Sequence, residues 1–379
     1  HGSFGATPKP VFDVYQSWQR RLERQPVSFI DKELPGHLEN ARQVLGDYLN
    51  AGASDLVYVP NATFGVNVVA RSLNLGPGDE VLATNHEYGA CSRVWGFLSQ
   101  KRGFDVIQQS IPVPLPSSDE SVELFWKGVS ERTRVIFISH ITSPTAQHLP
   151  VEAICARARR AGILTLVDGA HALGQIPLDM QAVGADFYTG NGHKWLCSPK
   201  GSAFLYTRPE KQALIEPLVV GWGWGEERVF TFGSDYLDYL QWLGTNDLAA
   251  YLSVPAAIQF QSEHNWSLVR QQCHELLEQS IRRICGLTGL ESVYPNGGDS
   301  DHQKADADHQ PSFGFHQMAI APLPHVDDVN LLKRRLYEAY RIEIPLIEWE
   351  AKQFIRVSIQ GYNSQSDVDA LIEGLAAIL

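Results

Sequence analysis

The sequence predicts an α/β fold in which a mostly parallel sheet carries helices on both faces, joined to a smaller C-terminal α+β region. Three observations predict it. Between about residues 55 and 245, short β-branched runs alternate with longer amphipathic or Ala-rich segments, and such alternation builds parallel strands linked by helical crossovers. Two further strand-like runs, SFGFHQMAIA and QFIRVSIQG, stand apart from that series within residues 287–379. The chain has 379 residues and 44% apolar content, enough to bury one large core and a smaller one.

In chain order, the strand runs are DLVYV (55–59), DEVLAT (79–84), DVIQQSI (105–111), TRVIFISHI (133–141), ILTLVDGA (163–170), ADFYTGN (185–191) and SAFLYT (202–207). Between them, TFGVNVVARSLN (63–74), YGACSRVWGFLSQKRG (88–103), SVELFWKGVS (121–130) and VEAICARARRAG (151–162) place apolar residues at helical spacing. A helical stretch over 247–286 leads into the second region. The expected division is a large domain over 30–246 and a small domain formed by 1–29 together with 247–379. The segment YPNGGDSDHQKADADHQPS (294–312) is polar and Gly/Asp-rich, the composition of a surface loop. No internal repeat is visible.

Composition narrows the function classes. A net charge of -12 and the lack of a basic stripe argue against a nucleic-acid partner. No run approaches the roughly 18 apolar residues of a membrane span, so a soluble, cytoplasmic protein is expected. The five cysteines, Cys91, Cys155, Cys197, Cys273 and Cys285, form no CxxC pair. That pattern suggests neither a disulfide framework nor a metal site.

The polar residues fall at strand ends. LTLVDGAHALGQ closes an apolar strand with Asp168 and returns His171 three residues later. A carboxylate buried there is costly without a cationic partner, although taken alone Asp168 also reads as a helix cap. One strand further on, YTGNGHKWLCSPKG sets Lys194 after Gly192 and His193 and before apolar Trp195 and Leu196, an odd address for a surface lysine. In a parallel sheet both residues reach the same rim, where ligands bind. A lysine amine and a carboxylate on one rim suit pyridoxal phosphate, which needs an amine for a Schiff base, an acid for its ring nitrogen and a phosphate cradle. Asn61, Ala62 and Thr63 open a helix after the first strand, and a helix N-terminus attracts phosphate. Asn191 and His193 are within reach of the same dianion.

These motifs, DGAHALGQ followed by TGNGHKW, resemble the aminotransferase class V group of fold type I pyridoxal-phosphate enzymes, which includes cysteine desulfurases. The segments HGSFGATP, ISHITSPTAQHLPVEAI, GNGHKWLCSPKG and WLGTND look most like its isopenicillin N epimerase branch. The resemblance spans essentially the whole chain. It implies that Lys194 is the Schiff-base lysine, that Asp168 holds the ring nitrogen with His171 beside it, and that Tyr88 stacks on the cofactor ring. It implies phosphate contacts from Ala62, Thr63, Asn191 and His193, with Gly244 and Thr245 reaching the phosphate of the partner subunit in a homodimer with shared active sites. Ser143 falls near the family's asparagine for the cofactor hydroxyl, and Arg356 matches the arginine for the substrate carboxylate, a task suited to a forked guanidinium.

One departure bears on the reaction. Cysteine desulfurases carry a persulfide-forming cysteine shortly before that arginine, and YRIEIPLIEWEAKQF has none, so sulfur relay through the enzyme's own thiol is not expected. The expected chemistry begins with removal of the α proton of an amino acid by Lys194. Epimerisation ranks first, carbon–sulfur β-elimination second and transamination third. Epimerisation needs a second acid, for which Tyr88, His86 and the tyrosines of SDYLDYLQW are the candidates. The Trp- and Gly-rich GWGWGEERVF (221–230) either lines a substrate pocket or packs a dimer. An effector-sensing regulator is disfavoured, because no basic helix-turn-helix stretch is present.

Overall fold

The structure, a computed structural model, describes residues 1–294 and 314–379. The segment expected as a surface loop lies, apart from Tyr294, outside the described residues. All seven strands of the first series form where the sequence placed them: β1 (Leu56–Val59), β2 (Glu80–Thr84), β3 (Asp105–Gln109), β4 (Thr133–Ser139), β5 (Leu164–Asp168), β6 (Phe187–Asn191) and β7 (Ala203–Thr207). They make one sheet in the order β1-β7-β6-β5-β4-β2-β3. β3, β2, β4, β5 and β6 run parallel, whereas β7 is antiparallel to both β6 and β1. The reversal has a simple cause. The connection from β6 to β7, residues 192–202, holds no helix, and a parallel return needs a crossover of about a dozen residues or more.

Alternation along each strand divides the side chains between the two faces. Val57, Val59, Val135, Phe137 and Leu166 pack on one side beneath the helices Ala62–Ser72 and Gly89–Arg102. Leu56, Tyr58, Ile136, Ile138 and Val167 enter the core on the other side. Burial on both faces is why these strands read as apolar runs rather than as half-polar ones.

Two helices differ from expectation. The segment expected over 121–130 is instead helical over Ser118–Trp126, because Ser117 and Glu120 form a capping box that starts it earlier. The stretch over 247–286 is three helices, Ala249–Leu252, Val254–Glu263 and Trp266–Thr288. Pro255 sits in the first turn of the second, and Asn265 takes a left-handed φ of 45° before the third. The helices Lys9–Arg24 and Leu34–Leu49 pack against this group, and neither was expected from periodicity.

The second sheet contains β8 (Met318–Leu323), β9 (Leu346–Trp349) and β10 (Lys352–Ser358), antiparallel in the order β8-β10-β9. The helix Trp266–Thr288 covers β8 and β10. Arg356 lies on the central strand, opposite Ile320. Among the described residues, no helix is long and apolar enough to cross a membrane.

Candidate active site

Parallel strands carry their carboxyl ends to one rim. Ser139 ends β4, Asp168 ends β5 and Asn191 ends β6, with Ser139 and Asp168 in register. A cleft of about 550 Å³ opens over this rim, within the usual range for small-molecule sites. Asn61, Ala62, Thr63 and Tyr88 line one part of it, and Ser143, Asp168, His171, Asn191, His193 and Lys194 line the rest.

The loop after β6 presents Lys194 through its own turn. Gly192 N–H donates to Ser202 O at 2.9 Å, Cys197 N–H to Lys194 O at 2.9 Å, and Ser198 N–H to Gly192 O at 3.0 Å. Trp195 and Leu196 are fully buried, so the apolar pair that made this lysine's address odd is the anchor of the turn. Gly174, at φ 85°, packs against the backbone of Trp195 and Leu196, where a Cβ has no room. The loop is thereby fixed to the turn that follows Asp168.

Hydrogen-bond logic sets the state of the ring beside the amine. Trp195 Nε1, which can only donate, points at His171 Nδ1 at 3.3 Å. Burial, with Lys194 and Arg356 nearby, holds the His171 pKa well below its ordinary value. The ring is therefore neutral, its Nδ1 accepts, and its proton sits on Nε2. Lys194 Nζ lies 2.9 Å from that Nε2, and in its unprotonated form it accepts that proton. Burial pushes the Lys194 pKa down to about 8, with Asp168 acting against the shift and Arg356 with it.

Asp168 is buried, and one of its oxygens accepts from Ala170 N–H at 2.9 Å while the other faces the Cys91 thiol at 3.5 Å. Burial raises its pKa. Beside it lies a second buried carboxyl that the sequence reading missed, Glu87. Thr84 Oγ1 and Ser139 Oγ donate to its two oxygens at 2.6 Å each. Burial pushes its pKa up to about 7, the two hydroxyls oppose this, and Asp168 adds to it. A carboxyl raised in this way stabilises the fold fully below its unfolded value near 4.5, and that contribution is lost as pH rises through about 7. The slope is up to about 1.4 kcal/mol per pH unit. The thermal midpoint of cofactor-free protein is therefore expected to fall between pH 5 and pH 7.5, and Glu87→Gln to flatten that fall. Identical slopes for parent and variant would remove Glu87 from this role.

The N-terminus of the helix Ala62–Ser72 is less open than expected. Asn61 Oδ1 accepts from Phe64 N–H and Asn191 Oδ1 from Ala62 N–H, each at 2.9 Å. Asn191 thus holds the cradle in shape as well as lining it. His193 Nδ1 lies 3.3 Å from Ser202 O, and burial lowers its pKa to about 4. Tyr88 is 46% exposed at the start of the helix Gly89–Arg102 and lines the cleft.

Arg356 arrives from the second sheet, buried, and meets the cleft through the lining residues Ser143 and Ser3 rather than lining it itself. Its Nη1 donates to Ser143 O and, at 3.3 Å, to Ser143 Oγ, while Nη2 donates to Ser3 Oγ at 3.3 Å. Ser143 is thus tied to Arg356, and neither Ser3 nor Phe4, both of which line the cleft, was singled out from sequence. Gly244 and Thr245 line no part of their own chain's cleft among the described residues, and Thr245 is exposed. His86 is ruled out as a second acid. Its Nδ1 is 2.6 Å from Thr145 Oγ1, its Nε2 is 2.8 Å from Ile111 O, and its ring stacks on Trp349. Tyr236 donates to Leu205 O from the core, and Tyr239 lies under the Arg228 guanidinium. Of the candidates, Tyr88 alone lines the cleft.

Comparisons with known proteins agree with this geometry. The family model described as aminotransferase class-V matches residues 6–371. The chain is 35% identical over 384 residues to an isopenicillin N epimerase of Amycolatopsis lactamdurans, covering 99% of this chain and 93% of that one. It is 27% identical over 414 residues to a probable chloroplastic L-cysteine desulfhydrase of Arabidopsis thaliana, covering 100% and 82%. In fold it is similar to the cystine C–S lyase C-DES in complex with cysteine persulfide, at a TM-score of 0.80 and 22% identity, covering 99% and 96%. The motifs, the rim and the match along nearly the whole length converge, and the chain belongs to the class V aminotransferase family.

Proposed function

We propose that this chain is a pyridoxal-phosphate enzyme that removes the α proton of an amino acid and returns it to the opposite face, as an epimerase. The observation that carries the reading is the Lys194 amine lining the cleft, 2.9 Å from His171 Nε2 and with its pKa lowered to about 8 by burial. The residues fit the cofactor. A buried carboxylate faces only a thiol on one side, a helix N-terminus stands across the cleft, and the volume suits a substituted pyridine. Bound there, pyridoxal phosphate supplies an aldehyde for amines and a ring that draws off the electron pair left by a departing α proton. Asp168 keeps a proton on the ring nitrogen. Lys194 Nζ takes the α proton, its lowered pKa keeping a useful fraction unprotonated near neutral pH. Tyr88 is the acid available for the other face, and Arg356 anchors the α-carboxylate.

Carbon–sulfur elimination is the second reading, favoured by the desulfhydrase relative, and it needs no relay thiol. A panel of amino acids separates the outcomes. Solvent deuterium at Cα with mixed configuration supports epimerisation, pyruvate with sulfide supports elimination, and keto acid supports transamination. A panel with no α-deuterium exchange in any amino acid overturns the reading.

We also infer a homodimer with shared sites. Thr245 is exposed and lines no part of its own cleft among the described residues, and Val220, Trp222 and Trp224 are 65%, 62% and 56% exposed within one short segment, a grouping of large apolar side chains that suits a contact surface. In mixed dimers, Thr245→Ala and Lys194→Ala subunits are expected to regain activity, because one of the two sites recovers both groups. Mixed dimers as inactive as either parent variant would sink the shared site.

A further inference from the structure

We propose that Ser3 and Phe4 determine substrate specificity: Ser3 holds the α-carboxylate together with Arg356, and Phe4 walls the space for the amino acid's side chain. The inference rests on reading the cleft as an amino-acid site. Its basis is the geometry of residues 1–7, a strap that contributes Ser3 and Phe4 to the cleft lining.

The strap is fastened on both sides of these two residues. His1 Nε2 lies 3.0 Å from Lys194 O, so it donates, and Nδ1, 3.0 Å from Tyr362 Oη, accepts. Gly2 packs against Ser358, Met318 and Trp195, where a Cβ would press on all three. Gly5 takes φ 71° against the carbonyl of His193, a place closed to any side chain. Lys200 Nζ donates to Gly5 O at 2.9 Å, and Thr7 Oγ1 to Ser198 O at 3.2 Å. Every one of these fastenings except those to Tyr362, Ser358 and Met318 goes to the loop that carries Lys194. The cleft wall and the amine are therefore held by the same loop.

Between the fastenings, Ser3 and Phe4 face the cleft. Ser3 Oγ accepts from Arg356 Nη2, and a hydroxyl that accepts one bond still has its own proton to give. Arg356 Nη1 is committed to Ser143, and Nε is buried without a partner among the described residues. Ser3 lines the cleft and Arg356 does not, so a carboxylate entering from the cleft meets the Ser3 O–H first, with the guanidinium charge behind it. Phe4 is 75% exposed, a phenyl ring that its own fold leaves uncovered next to that anchor.

The test uses the enzyme loaded with pyridoxal phosphate. Glycine, L-alanine, L-norleucine and L-phenylalanine are titrated against the visible band, and half-saturation concentrations are read without reference to turnover. Ser3→Ala is expected to raise all four values about tenfold, the loss of one hydrogen bond to a charged group, and Ser3→Thr to restore them. Arg356→Lys gives the same uniform pattern. Phe4→Ala is expected to shift norleucine and phenylalanine several-fold more than glycine. Equal titrations for Ser3→Ala and parent, or a Phe4→Ala shift that is the same for all four amino acids, overturn the inference. A parent protein that shows no visible band at all overturns the functional reading instead.

Discussion

Lys194→Ala is expected to yield a protein that borohydride cannot link to pyridoxal phosphate and whose turnover is lower by on the order of 10²- to 10⁴-fold, the usual worth of a positioned base. The fold should survive, because the fully buried Trp195 and Leu196 anchor the loop. His171 Nε2–H loses its acceptor, which costs far less than the loss of the amine. In the parent, linkage is expected to rise with pH through about 8, where Lys194 gives up its proton, and not through the range of an ordinary lysine. Absorbance after reduction and dialysis, with mass mapping of the labelled peptide, checks both statements. Equal labelling of variant and parent would show that another amine carries the cofactor.

Asp168→Asn is expected to retain cofactor and lose about 10²- to 10³-fold in turnover, the scale on which a single preorganised electrostatic partner acts. An amide keeps the acceptor for Ala170 N–H and fills the same space. It has no charge with which to hold a proton on a ring nitrogen, so the electron pair left at Cα has nowhere to go. Bound-cofactor absorbance and turnover on the same sample separate the two effects. A variant with near-parental turnover would reduce Asp168 to a cap on the turn at Ala170.

Much of this site was legible because its residues sit at the ends of strands that announce themselves. Asp168 and Lys194 were placed on one rim by counting strands, and both line the cleft over that rim. Glu87 was not legible. Its neighbours Thr84 and Ser139 come from two different strands, and no local pattern marks a carboxyl that burial holds near neutrality. His86 misled for the converse reason: a histidine beside Tyr88 looks available until Thr145, Ile111 and Trp349 are seen to occupy it. The strap of Ser3 and Phe4 met Arg356 across 353 positions, a distance no periodicity spans.

The amino-acid sequence alone determined the alternation of strands and helices, the parallel sheet, the amine and carboxylate at its rim and the family they belong to. These follow from side-chain period and from short motifs, both of which act within a few residues. Only the tertiary structure decided that β7 turns back, that Asn191 closes the helix cradle, that Arg356 meets the cleft-lining Ser143 and Ser3, and that Lys194 lies against His171 with its pKa lowered. Each of these depends on which groups face one another between residues far apart in the chain, and burial then shifts the pKa of those it encloses.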